Sequence, residues 1–198
     1  MKKIIVFIFI ALAAYAGYLF LRSHTQATDI PQRLGTSNRR QPPAQQSEFG
    51  TPARIEIPKL GVDTSIEQVG MDNKGNMDVP KDPDNVALYT LGYHIGDNGS
   101  AVIAAHFDKP SGAPAVFYHL NSLQPGDKIN VIDTQGNTLT YQVTESTAFP
   151  YNDFPLQKVF NTPGTPSLNL ITCDGTWDKS KQTYSNRLVV FSELVNSG

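Results

Sequence analysis

Short apolar runs separated by turn residues dominate the chain from about residue 51 onward. The run over 138–146 alternates between apolar and polar residues, which is typical of a strand with one exposed face. The runs around residues 102 and 189 are continuously apolar, which predicts strands buried on both faces. The pattern predicts a mostly β domain, a barrel or sandwich of seven or eight strands. The runs that predict strands are Ala53–Ile57, Thr64–Val69, Ala101–His106, Lys128–Ile132, Thr138–Ser146, Leu168–Cys173 and Arg187–Leu194.

Helical periodicity is scarce in the same region. Residues 115–123 place three apolar side chains on one helical face, which predicts a helix of about two turns. Residues 155–160 predict one further turn. The sequence has no internal repeat and no glycine loop of the kind that cradles phosphate. Helices are therefore expected only as short connections between strands.

The N-terminal residues have a different pattern. An uncharged stretch of 18 residues, Ile4–Leu21, follows two lysines. As a helix rising about 1.5 Å per residue it would span roughly 27 Å, close to the hydrocarbon thickness of a bilayer. A cleaved signal peptide is the alternative, since Ala14-Tyr15-Ala16 fits a cleavage site, but the apolar run continues past it. The sequence predicts an uncleaved single-pass transmembrane anchor over 1–22, with the rest of the chain outside the cytoplasmic membrane.

Residues 23–50 are rich in Ser, Thr, Gln, Asn and Pro and show no hydrophobic periodicity. This composition predicts a flexible extracytoplasmic linker, with an ordered arm packed on the domain as the alternative. Residues 51–198 are then a single folded domain, which is an ordinary size for one core.

Charge and cysteine usage narrow the class of function. Between Thr51 and Val195 the domain has 10 basic and 16 acidic residues, a net charge of −6 with neutral histidines. This balance argues against nucleic acid as a partner. One cysteine excludes an internal disulfide, and an exported protein that keeps a free thiol risks its oxidation. That thiol, Cys173, is therefore a candidate reactive group. No histidine or carboxylate spacing typical of a metal site is present, so no metal or other cofactor is expected.

Three polar groups stand at the ends of apolar runs. Cys173 ends one run, His106 ends another, and Arg187 begins a third. A thiolate that attacks a carbonyl, an imidazole that moves protons and a guanidinium that holds the oxyanion are the components of acyl transfer. Each residue alone has an ordinary explanation: a small buried hydrophobe, a core or surface histidine, and a cation at a sheet edge. Their conjunction favours the catalytic interpretation.

Six segments, in order from 53 to 194, resemble the sortase family, the membrane-anchored cysteine transpeptidases of Gram-positive bacteria. The chain order His, Cys, Arg is also that of the family. The resemblance implies a single-domain, sortase-type closed β-barrel of seven or eight strands with short helices. The segments are Arg54–Val62, Gly75–Pro80, Gly99–Asp108, Phe117 to Asp127, Leu170–Cys173 and Tyr184–Val190.

The resemblance implies a role for each matching residue. Cys173 would be the nucleophile that carries the acyl group, His106 its proton-transfer partner, and Arg187 the group that orients substrate or stabilises the oxyanion. Thr172 and Ala105 would contact substrate. Asp108, two residues after His106, either orients the imidazole or forms a turn. Some relatives bind calcium, but no carboxylate cluster for it stands out here, so calcium dependence is not expected.

The chain departs from the family pattern at two places. Ala105 stands where relatives usually have glycine, and Asp174-Gly175 stands where many have Gly-Gly. A carboxylate beside the nucleophile would oppose thiolate formation if it pointed towards the sulfur. The compact domain with one N-terminal anchor resembles the class E or class F branches of the family.

The resemblance also implies substrates. The enzyme would cut surface proteins within a C-terminal Leu-Pro-x-Thr-Gly-like sorting motif and join them to an amine acceptor on a peptidoglycan precursor or pilin. An L,D-transpeptidase is a poorer match, since Cys173 follows Ile-Thr instead of Ser-His-Gly. A papain-like peptidase has its cysteine before its histidine, the reverse of the order here. A membrane-tethered β-domain for binding, with Cys173 buried as a structural residue, is the alternative from a different class.

Overall fold

The computed structural model describes residues 49–197. The predicted anchor over 1–22 and nearly all of the predicted linker over 23–50 lie outside the described residues. Within 49–197, no helix combines the length and the apolar character needed to cross a membrane.

Eight strands close into one barrel, in the spatial order β1-β2-β3-β4-β7-β8-β6-β5 with β5 returning to β1. The pairs β2–β3 and β4–β7 are parallel, and the other pairs are antiparallel. The predicted mostly β, closed-barrel fold is confirmed. The strands are β1 (Pro52–Ile57), β2 (Val62–Val69), β3 (Val86–Tyr89), β4 (Ser100–Ala104), β5 (Lys128–Asp133), β6 (Thr138–Pro150), β7 (Ser167–Asp178) and β8 (Thr183–Ser197).

Two segments differ from the sequence-based expectation. Strand β3 was not predicted, because its four apolar residues are too short to show a period. The helix predicted over 115–123 is wrong: only a 3₁₀ turn forms there, Leu120–Ser122. Amides in this segment donate to carbonyls three residues back, as Tyr118 does to Ala115, and not to carbonyls four back. The amides of Ala115 and Phe117 donate to the carbonyls of Phe107 and His106, which holds the segment against the end of β4. The turn predicted over 155–160 is a short helix, α1 (Leu156–Phe160).

The sheet is buried on both faces where β4, β7 and β8 lie side by side. The barrel interior holds the main core, to which Ile103, Leu170 and Val190 contribute. The alternate residues Val102, Ile171 and Val189 face outward and pack against Val159 of α1 in a second cluster. This explains why the runs around residues 102–103 and over 188–191 are continuously apolar, as the sequence predicted.

Strands β7 and β8 form a long hairpin that continues well past the predicted strand ends. The register shifts between Asp174 and Trp177, which marks a bulge in β7. Gly175 lies in this bulge with a φ of +84°, and a Cβ there would stand 2.3 Å from Ser185 Oγ. Glycine is therefore required at position 175. This explains why the chain keeps the second glycine of the family's Gly-Gly while Asp174 replaces the first.

Candidate active site

Cys173 and Arg187 are direct cross-strand partners in the β7–β8 hairpin. Two residues inward along the same ladder, Ile171 pairs with Val189, and side chains two residues apart on a strand lie on the same face. Ile171 and Val189 pack on the outside of the barrel. Thiol and guanidinium therefore share the outer face of the sheet, at the rim where the apolar runs end. The sequence predicted this neighbourhood from the antiparallel pairing of the two runs, and the pairing is confirmed.

The end of β4 is tied to β7 immediately beside Cys173. The Ala105 amide donates to the Ile171 carbonyl at 3.1 Å. The Thr172 hydroxyl donates to the Ala105 carbonyl at 3.0 Å, and both of these residues are buried. The residue before His106 is thus bonded to the residue before Cys173. These contacts bring the strand ends that carry imidazole, thiol and guanidinium together on three neighbouring strands.

The imidazole of His106 is turned towards a backbone carbonyl. Its Nε2 lies 3.2 Å from the oxygen of Pro80, a buried residue in the segment between β2 and β3. A carbonyl oxygen can only accept, so Nε2 carries the hydrogen and Nδ1 is the nitrogen left to exchange a proton. Within the described residues, no hydrogen bond joins the imidazole to the Cys173 thiol in this resting arrangement.

The guanidinium of Arg187 is held by its own hairpin. It donates to the carbonyls of Tyr184 and Asn186, at 3.3 and 2.9 Å, and to Thr183 Oγ1 at 2.9 Å. Its Cζ stands 4.7 Å from the ring centroid of Tyr151, which follows β6. These contacts fix the fork of donors in one orientation on the same face as the thiol.

The electrostatics of Cys173 depend on three influences of different sign. Partial burial raises the pKa of the thiol above its ordinary value, the Arg187 charge lowers it, and Asp108 raises it. The net pKa is raised, so the resting thiol is protonated at neutral pH. Asp174 is adjacent to Cys173 in an extended strand and projects to the opposite face. The carboxylate that disfavours the thiolate is therefore Asp108, which was not expected from the sequence.

Asp108 makes no hydrogen bond to His106 within residues 49–197, and, as the alternative expectation had it, Asp108 flanks a turn, paired with Pro114. Its Oδ2 accepts a hydrogen bond from the Tyr184 hydroxyl at 2.5 Å. This bond to a carboxylate stabilises the protonated phenol and, with burial, raises the pKa of Tyr184 to about 12. The pair connects the segment after β4 with the start of β8.

Several side chains of this region were not singled out from the sequence. Pro80, Tyr151, Thr183 and Tyr184 all contact a predicted site residue, yet they lie in turns or at strand ends without apolar periodicity. Tyr184 begins the segment that resembles the family's arginine strand, and Pro80 ends another matching segment, so those motifs were the available signal for these two residues. In residues 49–197, no three His, Cys, Asp or Glu side chains converge as a metal site requires.

The family model of the sortase domain matches residues 55–195. No curated protein matches the chain at a significant level. Among solved structures, sortase A of Listeria monocytogenes is 20% identical with a TM-score of 0.56, over 75% of this chain and 89% of that one. Sortase C1 from Streptococcus agalactiae is 22% identical with a TM-score of 0.58, over 75% and 69%.

A further solved structure, sortase C-1 from Actinomyces oris, is 26% identical with a TM-score of 0.53, over 73% of each chain. Likeness at these identities establishes the barrel fold, and the family model covers well over half of the sequence, including the segments around residues 106, 173 and 187. The chain therefore belongs to the sortase family, a family of cysteine transpeptidases.

Proposed function

We propose that this chain cuts surface proteins within a Leu-Pro-x-Thr-Gly-like sorting motif and transfers the acyl group from Cys173 to an amine acceptor. The observation that carries the proposal is the cross-strand pairing of Cys173 with Arg187, beside the β4 end that leads into His106. A thiol and a fixed guanidinium on one face, with an imidazole on the adjoining strand end, are what acyl transfer through a thioester needs.

In the first half-reaction His106 Nδ1 takes the proton of the Cys173 thiol as the sulfur attacks the scissile carbonyl and forms a tetrahedral oxyanion. Arg187 stabilises this oxyanion or holds the adjoining peptide backbone through its planar fork of donors. The peptide C–N bond then breaks, and His106 supplies the proton that the leaving amine takes. The product is a thioester between Cys173 and the N-terminal part of the surface protein.

The second half-reaction reverses the proton movement. The acceptor amine attacks the thioester carbonyl, His106 removes its proton, and the C–S bond breaks with the sulfur as leaving group. Because Nε2 is bound to the Pro80 carbonyl, Nδ1 is the nitrogen that serves in this transfer. Because the pKa of the thiol is raised, Cys173 is mostly protonated before substrate binds. The thiol therefore has to lose its proton as the sulfur attacks the substrate.

Thr172 and Ala105 were predicted to contact substrate, and that role stays a prediction. The Thr172 hydroxyl and the Ala105 carbonyl are bonded to each other. Their contribution is therefore expected to be the shape of the wall beside Cys173 more than direct hydrogen bonds to the peptide. No cofactor or metal is needed for the steps above, and independence of calcium remains part of the proposal.

The cellular setting is also proposed. The acceptor amine would belong to a peptidoglycan precursor or a pilin, and nucleic acid would not be a partner. The barrel would act outside the cytoplasmic membrane, held there by the anchor predicted over 1–22. The negative charge of the domain argues against nucleic acid, and the uncharged stretch over 4–21 supports an anchored, extracytoplasmic enzyme.

The test is a peptide-library cleavage assay with the full chain, read by mass spectrometry. We expect cleavage within one motif related to Leu-Pro-x-Thr-Gly, ligation when an amine such as triglycine is present, and a thioester adduct on Cys173. The Cys173→Ala variant should lose all three while it stays folded. Turnover within about tenfold of wild type in this variant would rule out Cys173 as the nucleophile. Alkylation of Cys173 only on unfolding would favour the binding-domain alternative.

A further inference from the structure

A side-chain hydrogen bond joins the two segments that carry the proton-transfer and oxyanion groups. Asp108 lies two residues after His106, and Tyr184 lies three residues before Arg187. The Tyr184 hydroxyl donates to Asp108 Oδ2 at 2.5 Å across 76 residues of sequence. Both residues are partly buried, so the bond is shielded from competing water.

Tyr184 is also fixed at its backbone and at its ring. Its carbonyl accepts from the Arg187 guanidinium at 3.3 Å. Its ring makes edge contacts with Phe107 and Trp177, with centroids 5.4 and 5.2 Å away. Tyr184 therefore binds the Arg187 guanidinium with its carbonyl and the segment after His106 with its hydroxyl.

We propose that the Asp108–Tyr184 hydrogen bond is a positioning contact of the transpeptidase site, which sets where His106 and Arg187 stand around Cys173. The inference rests on the proposed function of those three residues. The bond tethers the β4 exit to the β8 entrance, and these two segments flank the β7 strand end that carries the thiol.

The pair also sets the charge next to the sulfur. The titratable groups around Cys173 are His106 and Asp108 after β4, Asp174 on β7, and Tyr184 and Arg187 on β8. Of these, the Asp108 charge raises the pKa of the thiol and the Arg187 charge lowers it. Because Tyr184 binds the Asp108 carboxylate, it fixes the position from which that charge acts on the sulfur.

Tyr184→Phe is the first test, because it removes one hydroxyl and leaves the ring contacts and the carbonyl in place. Tyr118→Phe is the matched control: Tyr118 stacks on the same Phe107 ring at 4.7 Å, and its hydroxyl has no hydrogen-bond partner within 49–197. We expect Tyr184→Phe to lower kcat on the best cleaved library peptide about tenfold, as a lost bond to a carboxylate would, with little change in KM. Equal rates in the two variants would overturn the proposal.

Substitutions of Asp108 separate the charge from the bond. Asp108→Asn keeps an oxygen that can accept from the phenol, whereas Asp108→Ala removes it. We expect both to shift the pH midpoint of Cys173 alkylation by iodoacetamide downward, because the neighbouring charge is gone. Only Asp108→Ala should reproduce the loss of kcat seen with Tyr184→Phe, and the double variant should be no slower than Asp108→Ala. Equal kcat in Asp108→Asn and Asp108→Ala would contradict a positioning bond.

Hydrogen exchange distinguishes failure of this inference from failure of the proposed function. If wild type cleaved no library peptide, the function would be wrong, and the contact would be judged by exchange alone. Tyr184→Phe should then speed amide exchange both over 106–118 and over 176–187, while Tyr118→Phe should not. Unchanged exchange in Tyr184→Phe would overturn the tether in either case.

Discussion

The guanidinium of Arg187 lies against the ring of Tyr151, with Cζ 4.7 Å from the ring centroid. Tyr151 belongs to the 3₁₀ turn that follows β6, so a residue from the β6–β7 connection supports the cation of β8. The contact is a cation–π interaction of a half-exposed ring. The Tyr151 ring covers a face of the guanidinium, while the N–H groups at its edge donate to acceptors of the β7–β8 hairpin.

Replacing Tyr151 should therefore weaken catalysis through Arg187. We expect Tyr151→Ala to lower kcat/KM about fivefold, the size of an exposed cation–π contact of about 1 kcal/mol. Tyr151→Phe keeps the ring face and should stay within about twofold of wild type. Steady-state kinetics on the cleaved library peptide measure both. A Phe variant as impaired as the Ala variant would mean that the hydroxyl, and not the ring, is what matters.

Arg187→Lys tests whether shape or charge matters at this position. Lysine keeps the charge but cannot donate at once to two carbonyls and a hydroxyl in the plane that the fork now occupies. We expect transpeptidation to fall about 10²–10³-fold, as for loss of a transition-state donor. Cys173 should still alkylate in the folded variant. Near-normal turnover would make Arg187 only a cation at the sheet edge.

His106 is tested against another histidine of the same domain. His106→Ala should lower turnover by about 10²–10⁴, the usual contribution of a positioned acid–base group. It should also slow alkylation of Cys173 near neutral pH, since no imidazole would remain on the neighbouring strand end to take the thiol proton. His119→Ala is the control, because His119 is exposed before the 3₁₀ turn at Leu120–Ser122. Greater damage from His119→Ala would mean that the wrong histidine was chosen.

The parts of the site that could be predicted are those fixed by strand pairing. Cys173 and Arg187 end and begin consecutive apolar runs, so antiparallel pairing alone makes them neighbours. The same reasoning predicts that His106 lies near the end of β4, but it does not predict the position of the imidazole. The strand ends at Ala104, and the chain then bonds to residues 115–117.

The contacts that support the site could not be predicted in this way. Tyr184 and Trp177 belong to extensions of β7 and β8 that are polar and bulged, so no hydrophobic period marks them. Tyr151 and Asp108 lie in connections, and what a connection touches depends on the closure of the whole barrel. The segment expected to be a helix over 115–123 forms successive turns with bonds between residues three apart, and its first amides bond to Phe107 and His106. A helical spacing of apolar residues does not distinguish such turns from an α-helix.

Acid stability provides a check on the fold that is independent of catalysis. Asp133, at the end of β5, is buried and accepts from the amides of Gly50, Gln135 and Asn137 and from the Asn137 side chain. Burial alone would raise its pKa, but these hydrogen bonds outweigh burial and lower the pKa to about 2. A carboxyl with a depressed pKa stabilises the fold fully above its unfolded value, and this contribution disappears as pH falls through the folded value.

Asp133→Asn should therefore lower the melting temperature by several degrees at neutral pH, because the amide nitrogen would face donors where an oxygen now accepts. Wild type should lose stability between about pH 4, the ordinary value for an aspartate, and about pH 2, because the unfolded chain takes up the proton first. The variant lacks this titration, so its loss over the same window should be shallower. Thermal melts from pH 7 to pH 2 measure both effects.

Glu193→Gln is the control, since Glu193 is exposed and makes no side-chain hydrogen bond within 49–197. Parallel melting curves for wild type and Asp133→Asn across that window would show that the carboxylate has no such role.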